Sequence, residues 1–282
     1  MHAIVPQLSG RGHEVRVLSR KATSSRSWPA NAKIVKGDVA DAASLRAASQ
    51  GVDAVAFMLP AFLEQPQNAL EYASSAAVAA KAGGAKLIVW NTSGRYPFPE
   101  EARHSDQHML AIHEHIAAAG VPLIVVAPTT YMENLLGPWT VNGIRTGHVP
   151  YPVLANRKMG WIASRDLCAL VAAAIERPQL AGQTFRVSGV EAVTGPELAV
   201  IFSEVLGRSL TYQTLTPQQM KEALEAAFGP GSGDVVANEY ALDQADTNPP
   251  LKYYDMTRVL AALPVKMTRL HEWIAEHRAA FA

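Results

Sequence analysis

The 282-residue chain carries 25 basic and 25 acidic residues, and 49% of it is hydrophobic, so it is long and apolar enough to bury a large core at zero formal charge. A neutral balance argues against nonspecific nucleic-acid binding, which is mainly electrostatic, and against a polybasic membrane anchor; no apolar run is long enough to span a bilayer. The single cysteine, Cys168, rules out a disulfide framework, and its apolar setting in DLCALVAAAI marks a core thiol rather than a nucleophile. The first residues lack the charged-then-apolar pattern of a signal peptide, and the expected location is cytoplasmic.

Residues 1–9 read as the tail of a helix, with Ile4, Val5 and Leu8 at helical spacing and Gly10 and Gly12 stopping it. Residues 14–19 (EVRVLS) form a strand, and residues 33–35 a short second one followed by Gly37-Asp38. Asp41 caps a helix to Ala48, residues 52–59 (VDAVAFML) form a third strand, and an Ala-rich helix covers 66–82. Residues 86–90 (KLIVW) are a fourth strand leading into Asn91-Thr92-Ser93-Gly94, and a helix follows over 105–119. The stretch GVPLIVVAPTTYMENLL then supplies a strand at 123–126, apolar on both faces, with polar side chains just beyond it. Strands and helices alternating at these intervals mean βαβ units and a parallel sheet.

Residues 151–162 read as loop with a short strand, 164–176 as a helix, and 184–187 (TFRV) as the last strand of the sheet. Thr194-Gly195-Pro196-Glu197 is a capping box opening a helix to Leu206, and Thr216-Pro217-Gln218-Gln219 repeats the device for a helix through Ala227. A glycine-rich loop at 228–234 and helices at 257–263 and 268–281 complete the chain. The organisation expected is a sheet domain over 1–130, with strand 184–187 returning to it, and a smaller lobe over 131–282.

The segments HEVRVLSR, KGDVAD, VDAVAFMLP, KLIVWNTSG, AAGVPLIVVAPTTYMENLL, SRDLCALVAAAIE and TGPELAVIFSEVLGR come in the order and spacing of NmrA-like proteins. The chain resembles this atypical branch of the short-chain dehydrogenase/reductase superfamily over nearly its whole length. The resemblance implies an α/β fold: a Rossmann-like doubly wound parallel sheet binding NAD(P), with a small C-terminal substrate lobe. It also shows a gap, because the first strand and glycine-rich turn that usually open such proteins have no counterpart before residues 1–9. Gly10-Arg11-Gly12 precedes a strand rather than opening a helix, and no strand leads into the glycines of 229–233, so neither stretch is a pyrophosphate cradle. In a sheet of order 3-2-1-4-5-6 the missing strand is central. Strands 14–19 and 52–59 are therefore expected to close up and pair, or to have their slot filled by another segment or subunit.

By the same resemblance Arg20 and Lys21 grip the 2′-phosphate of NADP, since an arginine rather than an acid follows the first visible strand. Asp38 and Val39 flank the adenine, though Gly-Asp is also ordinary turn chemistry. Leu59 and Pro60 line the dinucleotide. Thr92 and Ser93 stand where superfamily enzymes polarise a carbonyl with serine. Tyr131 and Asn134 lie in the cofactor-contacting turn, where Tyr131 can donate a proton; Tyr96 is a second donor, and Glu133 can cap the following helix. The usual Tyr-x-x-x-Lys pair is absent, and Met109 stands where NmrA-like relatives often keep a lone lysine. His108 precedes it and is a third acid–base candidate. His104, His113 and His115 crowd the same segment, but HEHIA is not the zinc pattern H-E-x-x-H, and exposed helix polarity accounts for the cluster.

The function expected is an NADP-preferring oxidoreductase acting on a small apolar carbonyl or quinone-like acceptor. Loss of the lysine favours a non-catalytic dinucleotide-sensing regulator as the alternative. Loss of the phosphate turn favours a cofactor-independent lyase or isomerase that reuses the cleft. The partner expected is a small-molecule substrate, with neither nucleic acid nor membrane; a homodimer is left open.

Overall fold

A computed structural model of the chain describes residues 3–20, 28–59, 68–94, 96 and 107–282. In chain order the first elements are α1 (Ile4–Gly10), β1 (Val15–Ser19), β2 (Ala32–Lys36), α2 (Ala42–Ser49), β3 (Ala54–Met58), α3 (Ala69–Gly83), β4 (Leu87–Asn91), α4 (Gln107–Ala118) and β5 (Leu123–Pro128). Then come α5 (Pro138–Arg145), β6 (His148–Tyr151), β7 (Met159–Gly160), α6 (Ser164–Ile175), β8 (Thr184–Val187), β9 (Ala192–Val193) and α7 (Gly195–Leu206). The last are β10 (Thr211–Thr214), α8 (Pro217–Phe228), α9 (Asp234–Ala245), α10 (Thr257–Ala262) and α11 (Leu270–Glu276). Two compact units form: one of Met1–Pro128, Arg165–Arg186 and Thr257–Val265, the other of Thr129–Ser164, Val187–Met256 and Lys266–Ala282.

In the first unit β3, β4, β5 and β8 make a sheet in that order, with β3, β4 and β5 parallel. The apolar runs of β4 and β5 are buried along their whole length, as strands covered on both faces must be. Beside them Ala69, Ala73, Ala77 and Ala80 of α3 join Ile88, Trp90, Ile112 and Ile116 in one core, the small alanines allowing close approach. Where α3 ends against α2 the backbones nearly touch, and a Cβ on Gly83 would lie 2.1 Å from the Ser49 carbonyl oxygen.

The expected pairing of strands 14–19 and 52–59 is not observed. β1 pairs in parallel with β2 alone, and β3 pairs with β4 alone, so among the described residues no segment fills the slot. Every residue of β3 is half-buried rather than buried. Its free backbone edge therefore escapes the desolvation cost that would force a partner onto it.

In the second unit β6 pairs in parallel with β10, and β7 antiparallel with β9. Their core gathers Tyr151, Trp161, Phe202, Trp273 and Phe281, with Phe202 edge-on to Phe281 at 5.1 Å. Both capping boxes form as read, with Thr194 and Glu197 opening α7 and Thr216 and Gln219 opening α8. Helices α5 and α9 and strand β6 were not legible. Only Ala237 of α9 is buried, so no apolar stripe marks it, and β6 carries a proline in mid-strand.

Candidate functional site

Parallel pairing sets Met58, Asn91 and Val126 beside one another at the carboxyl ends of β3, β4 and β5. Asn91 is buried there; its Nδ2 donates to Met58 Sδ at 3.5 Å, and its Oδ1 accepts the Ser93 amide at 2.9 Å. That bond holds Ser93 at φ +62°, the one left-handed non-glycine among the described residues. Such a conformation costs about 1–3 kcal/mol and gathers at ligand-binding turns. The Thr92 amide donates to the Val126 carbonyl at 3.1 Å, and its hydroxyl to the Gly94 carbonyl at 2.5 Å. The result is a rigid polar turn at the place where open α/β sheets bind ligands. Thr92 and Ser93 are the candidates visible in the sequence, whereas the role of Asn91 in setting their geometry is visible only in the fold.

Arg20 is exposed immediately beyond β1. Asp38 lies just past β2, where its Oδ1 accepts the Ala40 amide at 3.0 Å and its own amide donates to Ser44 Oγ at 3.0 Å. The turn chemistry expected of Gly37-Asp38 is therefore present, and Val39 is half-buried within it. Leu59 packs against the core of the first unit. Lys21, Pro60 and His104 lie outside the described residues.

Several amides of the two glycine stretches are already bonded within the chain. Arg11 and His13 donate to the Leu8 carbonyl and Gly12 to Ser9, all within 3.1 Å, closing the end of α1. Gly231 donates to a Glu225 carboxylate oxygen at 2.9 Å, Ser232 to the Gly229 carbonyl at 3.3 Å, and Asp234 to Gly231 at 3.4 Å.

On α4, His108 is exposed, whereas Met109 is half-buried against the core of the first unit. His113, expected in an exposed polar cluster, is instead half-buried, and its Nδ1 is hydrogen-bonded to the Tyr96 hydroxyl. Trp90 meets both rings edge-on, at 6.0 Å for Tyr96 and 6.3 Å for His113. Burial pushes the His113 pKa down and the Tyr96 pKa up, with Glu114 nearby raising both. At neutral pH both rings are uncharged. The signal was in the sequence: 109, 112, 113 and 116 form an i, i+3, i+4, i+7 stripe, and His113 occupies it.

In the second unit Tyr131 is half-buried and forms a parallel bridge with Ile162. Glu133 caps a helix, though not the next one. Its carboxylate accepts the Ser164 amide at 3.0 Å and the Ser164 hydroxyl at 2.7 Å, at the first residue of α6. Asn134 Nδ2 donates to the Tyr151 hydroxyl at 3.3 Å, and the Tyr240 hydroxyl donates to the same oxygen at 3.1 Å. Burial raises the pKa of both phenols, so this network stays protonated. Met132 and Leu135 are core residues. Among the described residues no helix is long and apolar enough to cross a membrane.

A parallel sheet alternating with helices, with polar residues just beyond its strand ends, is the doubly wound, Rossmann-like architecture. The chain belongs to the NmrA-like family, whose pattern it matches over residues 2–274. It is 27% identical over 268 residues to a (4-alkanoyl-5-oxo-2,5-dihydrofuran-3-yl)methyl phosphate reductase of Streptomyces griseus subsp. griseus, covering 95% of this chain and 91% of that protein. It is 29% identical to an NAD(P)H azoreductase of Xenophilus azovorans, covering 82% and 79%. Its fold is similar to that of the Citrobacter sp. triphenylmethane reductase complexed with NADP(H), with a TM-score of 0.80, 18% identity and coverage of 98% and 95%.

Proposed function

We propose that the protein is an NADP-preferring oxidoreductase that reduces a small apolar carbonyl, quinone-like or related unsaturated acceptor. The observation that carries this reading is the locked Asn91-Thr92-Ser93 turn at the carboxyl end of β4, in a chain matched over most of its length by two reductases. A bound NADPH supplies the hydride. Arg20, and Lys21 beyond it, hold the 2′-phosphate through charge-assisted bonds that an NADH ribose does not offer. Asp38 and Val39 take the adenine side, and Leu59 and Pro60 line the dinucleotide. Ser93 polarises the acceptor oxygen, Tyr131 donates the proton, and Asn134 and Thr92 contact the cofactor; His108 is a second acid on the exposed face of α4.

The residues fit this cofactor in part. An exposed arginine past β1 suits a phosphate, but neither glycine stretch joins a strand to a helix, where a pyrophosphate would meet free amides. Affinity for the dinucleotide is therefore weak by the standard of an intact glycine-rich turn. NADPH titration followed by a turnover screen against quinone and azo acceptors tests the proposal. Binding with turnover supports it. Binding without turnover leaves a dinucleotide-sensing regulator, and neither leaves a cofactor-independent enzyme.

A further inference from the structure

The second unit holds a cavity of about 220 Å³ that the dinucleotide reading does not use. We propose that it binds a small organic anion, a carboxylate or phosphate carried on a single ring or short apolar body. Size sets the first limit: pockets for larger ligands run about 300–1,000 Å³, so this one suits a one-ring molecule and not a dinucleotide. Tyr240, Tyr253, Pro249, Pro250 and Leu251 give it an apolar, partly aromatic wall.

Charge sets the second limit. Arg157, Lys158 and Lys252 line the cavity against one acid, Asp243. Lys252 is already ion-paired with Asp243, and its ammonium lies 5.6 Å from the Tyr240 ring centroid, so this pair contributes no net charge. Lys158 lowers the pKa of Glu197 through its charge, but that carboxylate is first committed to the Thr194 amide and hydroxyl. Arg157 gives one N–H to the Asp246 carbonyl at 3.3 Å, and among the described residues no carboxylate pairs with it. Its planar fork is the group best suited to a carboxylate or phosphate.

The cavity is also held in shape. Gln244 Nε2 donates to the Pro152 and Leu215 carbonyls, both at 3.1 Å, and the Tyr240 hydroxyl is anchored on Tyr151. The Arg157 amide donates to the Leu154 carbonyl at 2.9 Å, fixing the turn that presents the guanidinium. A ligand entering this cavity meets walls already ordered, so little affinity is lost to ordering them.

The test is calorimetric titration of the whole protein with phenyl phosphate, benzoate and neutral benzyl alcohol. Both anions should bind at least about tenfold more tightly than the alcohol, and the advantage should shrink as salt screens the partly exposed site. Arg157→Gln should weaken the anions by about tenfold or more and leave the alcohol unchanged; if that variant does not fold, the exposed Lys158→Gln serves, with a smaller loss. A tighter phosphate identifies phosphate esters as the ligand class, and a tighter benzoate identifies carboxylates. Equal binding of the alcohol, or anion affinities unchanged in both variants, would overturn the proposal. NADPH takes no part in these titrations, so the failure of either reading leaves the other standing.

Discussion

The Tyr96 hydroxyl is hydrogen-bonded to Nδ1 of His113, with Trp90 edge-on to both rings. Burial holds the His113 pKa below its ordinary value. The unfolded chain therefore takes up this proton first as pH falls, and the stability His113 contributes is present above about pH 6.5 and is lost as pH falls from there through the lower folded-state pKa. Urea midpoints of the wild type should fall between pH 7.5 and pH 5. In His113→Gln, which keeps an acceptor for the phenol, that fall should be smaller. An equal fall in both proteins would show that His113 does not carry this acid sensitivity.

Arg20 is assigned to the 2′-phosphate, so Arg20→Ala should weaken NADPH far more than NADH. The expected loss is about 1.5–3 kcal/mol, the worth of a charged hydrogen bond. Competition titrations with the two dinucleotides check this, and equal losses would remove the assignment.

Met109 packs half-buried on the core of the first unit. Met109→Lys should therefore cost stability, about 1 kcal/mol, against the roughly 1.5–3 kcal/mol of full burial. A denaturant curve measures it directly. An unchanged midpoint would place the side chain in a wet cleft instead, where the lysine should raise turnover.

The close approach of α3 to α2 makes Gly83 irreplaceable by sterics alone, since a Cβ there meets the Ser49 carbonyl oxygen at 2.1 Å. Gly83→Ala should destabilise by about 1–3 kcal/mol, as overpacking does. The neighbouring Gly84 has open space but φ +87°, and Gly84→Ala should cost about 1–2 kcal/mol through backbone conformation. A melting temperature unmoved by Gly83→Ala would mean that the two helices separate easily.

The sheet strands were legible because apolar β-branched runs with glycine and proline punctuation occur at β4 and β5, and because capping boxes announce α7 and α8. The strand-end positions Arg20, Asp38, Ser93 and Tyr131 followed from that pattern and from family resemblance. What was not legible depends on contacts distant in sequence. Glu133 finds Ser164 rather than the next helix, Tyr151 gathers Asn134 and Tyr240, and Asn91 bends Ser93 into a left-handed turn. Helix α9 carries no apolar stripe because it buries almost nothing apolar, and the closure of β1 on β3 depends on a pairing between strands distant in sequence that does not form.

The most direct test of the oxidoreductase reading is one experiment on this 282-residue chain: an NADPH binding isotherm followed by NADPH oxidation with a quinone acceptor. The account predicts measurable but weak binding, tighter for NADPH than for NADH, and acceptor-dependent oxidation that Ser93→Ala lowers. Absence of binding by either dinucleotide, or binding with no oxidation by any quinone or azo acceptor, would contradict it.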